Sequence, residues 1–279
     1  MKLNQLMKVT MVIAGLLAIT TANAQYYYKD IHSTKELLDE VARLKEQKLR
    51  TINVTSLESD GTESEGFFCQ KKFNRNYTEA VLTTSTSTSY NNYFTSYFTK
   101  DGLLTQTVDS SEVGSTTANY TYNGKQQLIK ISSSTNFASD ENDDNNSEQH
   151  LYDYENGQLK SLLVVRNNKD TVSIAFMPDE NNNIGIEKNV KTGDIYYYYY
   201  DVKNRLTDVV HTYDAKKTLV PDYKFSYNSS GLVAQMIASE KEGAYFFVWK
   251  YTYENGLRTM ERCYSKEGRL TGSVEYEYK

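Results

Sequence analysis

Few side chains in this sequence have the type and spacing that chemistry requires. The three histidines, His32, His150 and His211, stand far apart, and none lies in an His-x-x-x-His or Cys-x-x-Cys context, so no zinc site and no metal is expected. Asp140, Asn142 and Asp144 have the alternate spacing of a calcium loop. Asn145 stands where such a loop needs Gly, however, and Leu151 where it needs a bidentate acid, so the segment reads as a solvated acidic loop. Glu275 and Glu277 share one strand face, as a glycosidase pair would, but they alternate with Ser273 and Lys279 on what reads as a wet face. Neither a Gly-x-Ser-x-Gly elbow nor a phosphate-cradling Gly-rich loop is present. The sequence therefore assigns no catalytic residue and no cofactor, and the reading is of a protein that is not an enzyme.

Two other constellations point to structure and binding. Cys69 and Cys263 are the only cysteines, and in an oxidising compartment they are a candidate disulfide tying the first strands to the last hairpin, with two buried thiols as the alternative. The run Tyr196–Tyr200 puts aromatic rings on both faces of one strand. Such a strand is either covered on both sides or exposes a tyrosine ladder on which a flat sugar or a peptide can stack. Tyr196, Tyr198 and Tyr200, with Trp249 and Tyr251 on a second aromatic strand, are the candidate ligand-binding residues.

The elements that must position these residues follow from pattern. Residues 1–24 carry Lys2 and Lys8, an apolar run from Val9 to Ile19 and a small-residue end at Ala22-Asn23-Ala24, which reads as a cleavable secretory signal. The apolar run is shorter than the ~20 residues a membrane span needs. Losing the two lysines takes the net charge from −5 to −7, which disfavours nucleic acid and anionic lipid as partners. The mature chain is expected to be soluble, without a membrane span, in the periplasm or at the cell surface.

Residues 25–50 form an N-terminal segment in which Ser33-Thr34-Lys35-Glu36 reads as a capping box. Leu37, Leu38, Val41 and Leu44 follow at helical spacing, which predicts an amphipathic helix from about Thr34 to Lys48 that covers the sheet. Residues 51–279 read as a single antiparallel β domain. Its last strand sets Val274, Tyr276 and Tyr278 on one face and Glu275, Glu277 and Lys279 on the other.

The β domain repeats. Tyr251-Thr252-Tyr253-Glu254-Asn255-Gly256-Leu257 reads as a hairpin tip with two aromatic side chains on one face before the turn. Copies recur at Tyr120/Tyr122 with Asn123-Gly124, at Tyr152/Tyr154 with Asn156-Gly157, at Tyr198/Tyr200 with Asn204 and at Phe225/Tyr227 with Gly231. From about Tyr93 to Lys279 the pattern resembles the YD-repeat (Rhs-type) proteins, and the whole chain resembles small exported proteins of Bacteroidota-type bacteria. The Asp that follows the second Tyr in that family is present only at Asp201. The resemblance implies a fold of stacked hairpins and no activity. The expected architecture is all-β with one N-terminal helix: an antiparallel meander forming a large twisted or strongly curved, half-barrel-like sheet. The expected function is binding of a glycan, peptide or envelope protein through a Tyr-rich face. The alternatives are an assembly role through free sheet edges and, last, an unrecognised glycan hydrolase.

Overall fold

A computed structural model describes residues 27–138, 146–213, 218–240 and 243–279. The expected signal segment, and Asp140, Asn142 and Asp144 of the calcium-like spacing, lie outside the described residues. One helix, α1 (Tyr28–Glu46), precedes eighteen described strands. The first nine are β1 (Thr51–Glu58), β2 (Phe68–Phe73), β3 (Glu79–Thr86), β4 (Ser89–Phe98), β5 (Leu104–Ser111), β6 (Gly114–Tyr122), β7 (Leu128–Phe137), β8 (Asn146–Glu155) and β9 (Gln158–Arg166). The second nine are β10 (Asp170–Pro178), β11 (Ile184–Asn189), β12 (Ile195–Tyr200), β13 (Leu206–Tyr213), β14 (Thr218–Tyr227), β15 (Val233–Glu240), β16 (Tyr245–Glu254), β17 (Leu257–Ser265) and β18 (Leu270–Tyr278).

Each strand pairs antiparallel with its neighbours in sequence, and the last returns to the first. Ile52 lies opposite Tyr278, Val54 opposite Tyr276 and Ser56 opposite Val274. The meander is therefore a closed barrel, which corrects the expected half-barrel. The local hairpin pattern specifies each turn and says nothing about whether the ends meet. What joins them is a contact between residues more than two hundred positions apart.

Residues opposed across a ladder share a face, so burial identifies the lumen side. Ile52, Val54, Leu82, Leu162, Val164, Tyr198 and Val209 are all buried and point inward. The opposite face carries Asn53 against Glu277 and Gln70, then Ser132 against Gln149 and Ser134 against Ser147. A barrel that faces lipid wears an apolar band outside and polar groups within. Here the lumen is the apolar side.

The aromatic repeat has a structural cause that its sequence pattern alone does not reveal. On five even-numbered strands, β8, β12, β14, β16 and β18, a tyrosine at the end of the strand donates its hydroxyl to a carbonyl at the start of the preceding strand. The bonds are Tyr154 to Leu128 (3.0 Å), Tyr200 to Ile184 (2.9 Å), Tyr227 to Leu206 (2.6 Å), Tyr253 to Val233 (2.8 Å) and Tyr278 to Arg258 (2.7 Å). Each phenol fills the lumen wall with its ring and satisfies a carbonyl beside a register shift in the ladder. Asn255-Gly256, at φ 51° and 78°, closes its hairpin with the positive-φ pair that a tight turn requires.

At the longer turns the first residue after the strand, which follows an aromatic residue at Asn123, Asp201 and Asn228 and Pro178 at Asp179, accepts backbone N–H groups of the loop. Asp201 Oδ1 takes those of Lys203 and Arg205, and Asn123, Asp179 and Asn228 act in the same way. The Asp noted only at position 201 is thus one form of an Asp-or-Asn turn cap, chosen because a short side-chain oxygen can reach two residues ahead.

Cys69 and Cys263 are both buried free thiols, the alternative to the candidate disulfide. Cys69 is opposite Val54 on β1, whereas Cys263 is opposite Gly272 on β18, so β1 and β18 lie between their strands and their positions along the ladder differ as well. Three inter-strand steps amount to ~14 Å, far beyond the reach of a disulfide. Two outcomes follow. Alkylation of the unfolded protein without reductant should add two adducts by mass; a protein that takes none contains the bond. Tyr227→Phe and Tyr253→Phe should each cost about 1 kcal/mol in urea unfolding. Tyr122→Phe should cost nothing, because the buried Tyr122 hydroxyl has no hydrogen-bond partner among the described residues.

Candidate functional site

The polar chemistry of the interior is concentrated where α1 meets the wall. The helix begins at Tyr28, six residues before the expected start, and Ser33-Thr34-Lys35-Glu36 lies inside it. Its first N–H groups need no local cap because the barrel supplies one. Glu187 on β11, only 2% exposed, accepts the Tyr27 and Tyr28 N–H groups at 2.9 Å each and the Tyr198 hydroxyl at 2.7 Å. A carboxylate at a helix N-terminus also meets the positive end of the helix dipole. Burial nonetheless pushes the Glu187 carboxyl up to about 6, outweighing the donors from Tyr27, Tyr198 and Tyr28 that favour its charged form.

One turn further on, Asp30 accepts from the Tyr152 hydroxyl at 2.6 Å and pairs with His150 Nδ1 at 2.6 Å. The other ring nitrogen of His150 meets Glu148 at 2.8 Å, and Glu148 also pairs with Arg166, which donates to the Tyr27 hydroxyl. Burial opposes a charged imidazole here, but hydrogen bonds to Asp30 and Glu148 prevail and hold the His150 pKa at about 9. The hydrogen bond from His150, followed by that from Arg166, takes Glu148 down to about 2.

The far end of the helix reaches the opposite wall. Glu40 pairs with Lys71 on β2 at 3.1 Å, and the Gln47 amide donates to the Asn255 carbonyl at the β16–β17 turn. In a ring of eighteen strands β2 and β11 lie on opposite sides, so α1, about 28 Å long, crosses the lumen from wall to wall. Val41 and Leu44 join a cluster with Ile52, Val54, Phe73, Leu257 and Val274, while Tyr27, Tyr28 and Ile31 join a second with Leu162, Ile174 and Val209. The helix is a plug whose apolar stripe packs on the inside of the sheet, while Ser33, Lys35, Glu36, Asp39, Ala42 and Lys45 on its other side are exposed.

The predicted ligand-binding residues line this interior. Tyr198 is 3% exposed and Trp249 is 8% exposed. Tyr196 lies opposite His211 with ring centroids 5.7 Å apart, Tyr200 is engaged with Ile184, and Tyr251 packs under the Arg258 guanidinium at 4.2 Å. Tyr198 and Trp249 are thus buried, whereas Tyr196, Tyr200 and Tyr251 are half-buried. Their neighbours Tyr197 and Tyr199 face outward, and Tyr199 is exposed. Further exposed outer aromatics are Tyr93 and Tyr97 on β4 with Tyr90 at its start; Tyr97, with Asp101-Gly102-Leu103, is a looser copy of the repeat in the sequence, and none of the three stands out there as a binding residue.

Each histidine has an acidic neighbour: His150 as above, His211 with Asp222 at 2.8 Å and His32 with Glu36 at 3.7 Å. Glu277 accepts from Asn53 at 2.8 Å and pairs with Lys279 at 2.9 Å, and these contacts hold its carboxyl below the ordinary range. That is the reverse of what a general acid needs.

No family model and no curated protein matches the chain. Solved structures that resemble it include a porin-like protein from Bacteroides uniformis, with 12% identity and a TM-score of 0.38 over 83% of this chain and 96% of that one. A porin-like protein from Bacteroides vulgatus shares 10% identity at a TM-score of 0.26, over 81% and 97% of the two chains. A chain of the Photorhabdus luminescens Tc holotoxin pore shares 12% identity at 0.34, over 77% of this chain and 12% of its own length. Likenesses at this level carry no functional argument, and no YD-repeat assignment emerges from them. Among the described residues no helix is long and apolar enough to cross a membrane, which leaves open whether strands do.

The His150 latch has a pH signature. A histidine raised from 6.5 to about 9 stabilises the fold fully below pH 6.5 and loses that contribution as pH rises through 9. Glu148, lowered to about 2, adds stability above its ordinary 4.5 that is lost as pH falls through 2. His150→Gln should therefore cost about 2–3 kcal/mol in urea unfolding at pH 6, and the deficit should shrink markedly by pH 9. A deficit constant with pH would mean that the imidazole is held neutral.

Proposed function

We propose that this protein is an exported, water-facing, non-enzymatic barrel that binds a glycan, a peptide or an envelope protein through aromatic side chains on its outer wall. The observation that carries the reading is the helix across the lumen: with the interior given to α1 and its anchors, the outer wall is the surface left for recognition. The polar outer face of β1, β2, β7, β8 and β18 supports a barrel bathed in water. An acidic chain with the pattern of a secretory signal supports export to the periplasm or cell surface.

The assembly reading loses its mechanism, because closure of β1 on β18 pairs the two strands that would have been free edges. The hydrolase reading finds Glu187 buried and engaged by the plug, Glu148 half-buried and paired with His150 and Arg166, and Glu277 paired with Lys279 on the outside.

A thermal shift of the mature protein against glycans, peptides and divalent ions tests the proposal. Ligand at 100 times its dissociation constant adds about 2.7 kcal/mol, or roughly 5–10 °C for a domain of this size. The shift should vanish in at least one of Tyr93→Ala, Tyr97→Ala and Tyr199→Ala. Tyr198→Ala should lower the melting temperature of the free protein and leave the ligand-induced shift in place. No shift with any class would overturn the reading.

A further inference from the structure

Resting on that outer-wall reading, we propose that the open groove across the end of β4 and β5 is a binding site for a neutral oligosaccharide. The groove, of about 380 Å³, is lined by Tyr90, Asn91, Tyr93, Ser110, Ser111 and Glu112. Tyr93 and Ser110 are opposed on the outward side of the ladder. Tyr90 is 73% exposed and Tyr93 43% exposed, so two rings stand free in water where most outward neighbours are Ser, Thr, Asn or Gln. The Asn91 amide lies 3.4 Å from the Tyr93 hydroxyl and steadies the phenol.

Chemistry selects the ligand class. An aromatic face with an adjacent amide, two hydroxyls and one carboxylate matches a sugar, which has an apolar C–H face and a polar rim. No lysine or arginine lines the groove, and its one charge is Glu112, so an anionic polysaccharide is repelled. A peptide is a poorer fit. β4 is paired on both sides, by β3 and β5, so no strand can be added, and the groove offers no closed apolar pocket for an anchoring side chain.

The site also has a direction. Tyr97 shares the outward face of β4 four residues beyond Tyr93, about 13 Å along the strand. Gln106, opposite Tyr97, donates its amide to Asn119 on β6. Between the two rings the outward face carries Thr95 flanked by Val81 and Val108, with Ser110 beside Tyr93 and Gln106 beside Tyr97, and rings at both positions suit an extended chain of several sugar units lying along β4.

Calorimetric titration of the mature protein with short linear gluco-, manno-, xylo- and galacto-oligosaccharides decides the matter, run beside Tyr90→Ala, Tyr93→Ala, Tyr93→Trp and Tyr199→Ala. Circular dichroism melts confirm that each variant folds. Saturable binding of one series is expected, weakened at least tenfold by Tyr93→Ala and by Tyr90→Ala and retained by Tyr93→Trp. Binding lost in Tyr199→Ala and kept in Tyr93→Ala would overturn this site while leaving an outer-wall binder. No binding of any oligosaccharide would overturn the saccharide class, and a thermal shift with peptides or proteins would then show that the broader reading survives.

Discussion

The structure depends on the closure of β1 against β18. An open eighteen-stranded meander would leave two unsatisfied edges and an apolar face too wide for one helix to cover. Pairing residues 52–58 with 272–278 removes both problems: every strand gains two neighbours, and the apolar face curls into a lumen. Only then does the helix have an enclosing wall to pack on, and α1 and the inward aromatic side chains bury one another there. The helix runs into β1 almost at once, as the Arg50 and Thr51 N–H groups bond to the Lys279 carbonyl, so the same ladder that closes the barrel also anchors the plug.

A group of the polar residues inside this barrel serves the seating of the helix, while others, such as Glu261 with Arg258 and Tyr276, pair within the wall. Glu187 replaces a helix cap, Asp30 and Glu148 bracket His150, and Glu40 meets Lys71. A buried carboxylate left without donors would be costly, and three donors converge on Glu187. The wall residues concerned are nonetheless separated from the helix by more than a hundred positions in some cases. The plug is therefore held by tertiary contacts chosen along the whole chain.

This arrangement divides the tyrosines by role. Those facing inward are clamps and packing: Tyr154, Tyr200, Tyr227, Tyr253 and Tyr278 spend their hydroxyls on neighbouring carbonyls, and Tyr152 and Tyr198 on the plug's anchors. Those facing outward are the ones available to a partner. In the Tyr196–Tyr200 run the alternation of a single strand separates the two roles: Tyr196, Tyr198 and Tyr200 go to the wall's inner face, while Tyr197 and Tyr199 go to solvent. The strand's period of two residues makes the assignment absolute once register is fixed.

The amino-acid sequence by itself determined the hairpins. Asn255-Gly256 and its counterparts dictate reversals through their tolerance of positive φ, the alternation in residues 270–278 dictates a strand with one wet face, and the stripe through Val41 and Leu44 dictates a helix with one buried side. These are local preferences, so they can be read without knowing the fold. Tertiary structure alone decided three things: that the ends meet, that the helix lies inside the ring, and that its first turn is capped by Glu187, 160 positions away. It also decided which face of each tyrosine strand is the inner one, and hence that Tyr198 and Trp249 are wall. Periodicity shows that two faces differ; which of them is enclosed depends on the direction in which the sheet curls, and that is set by long-range pairing that leaves no trace in any local window of sequence.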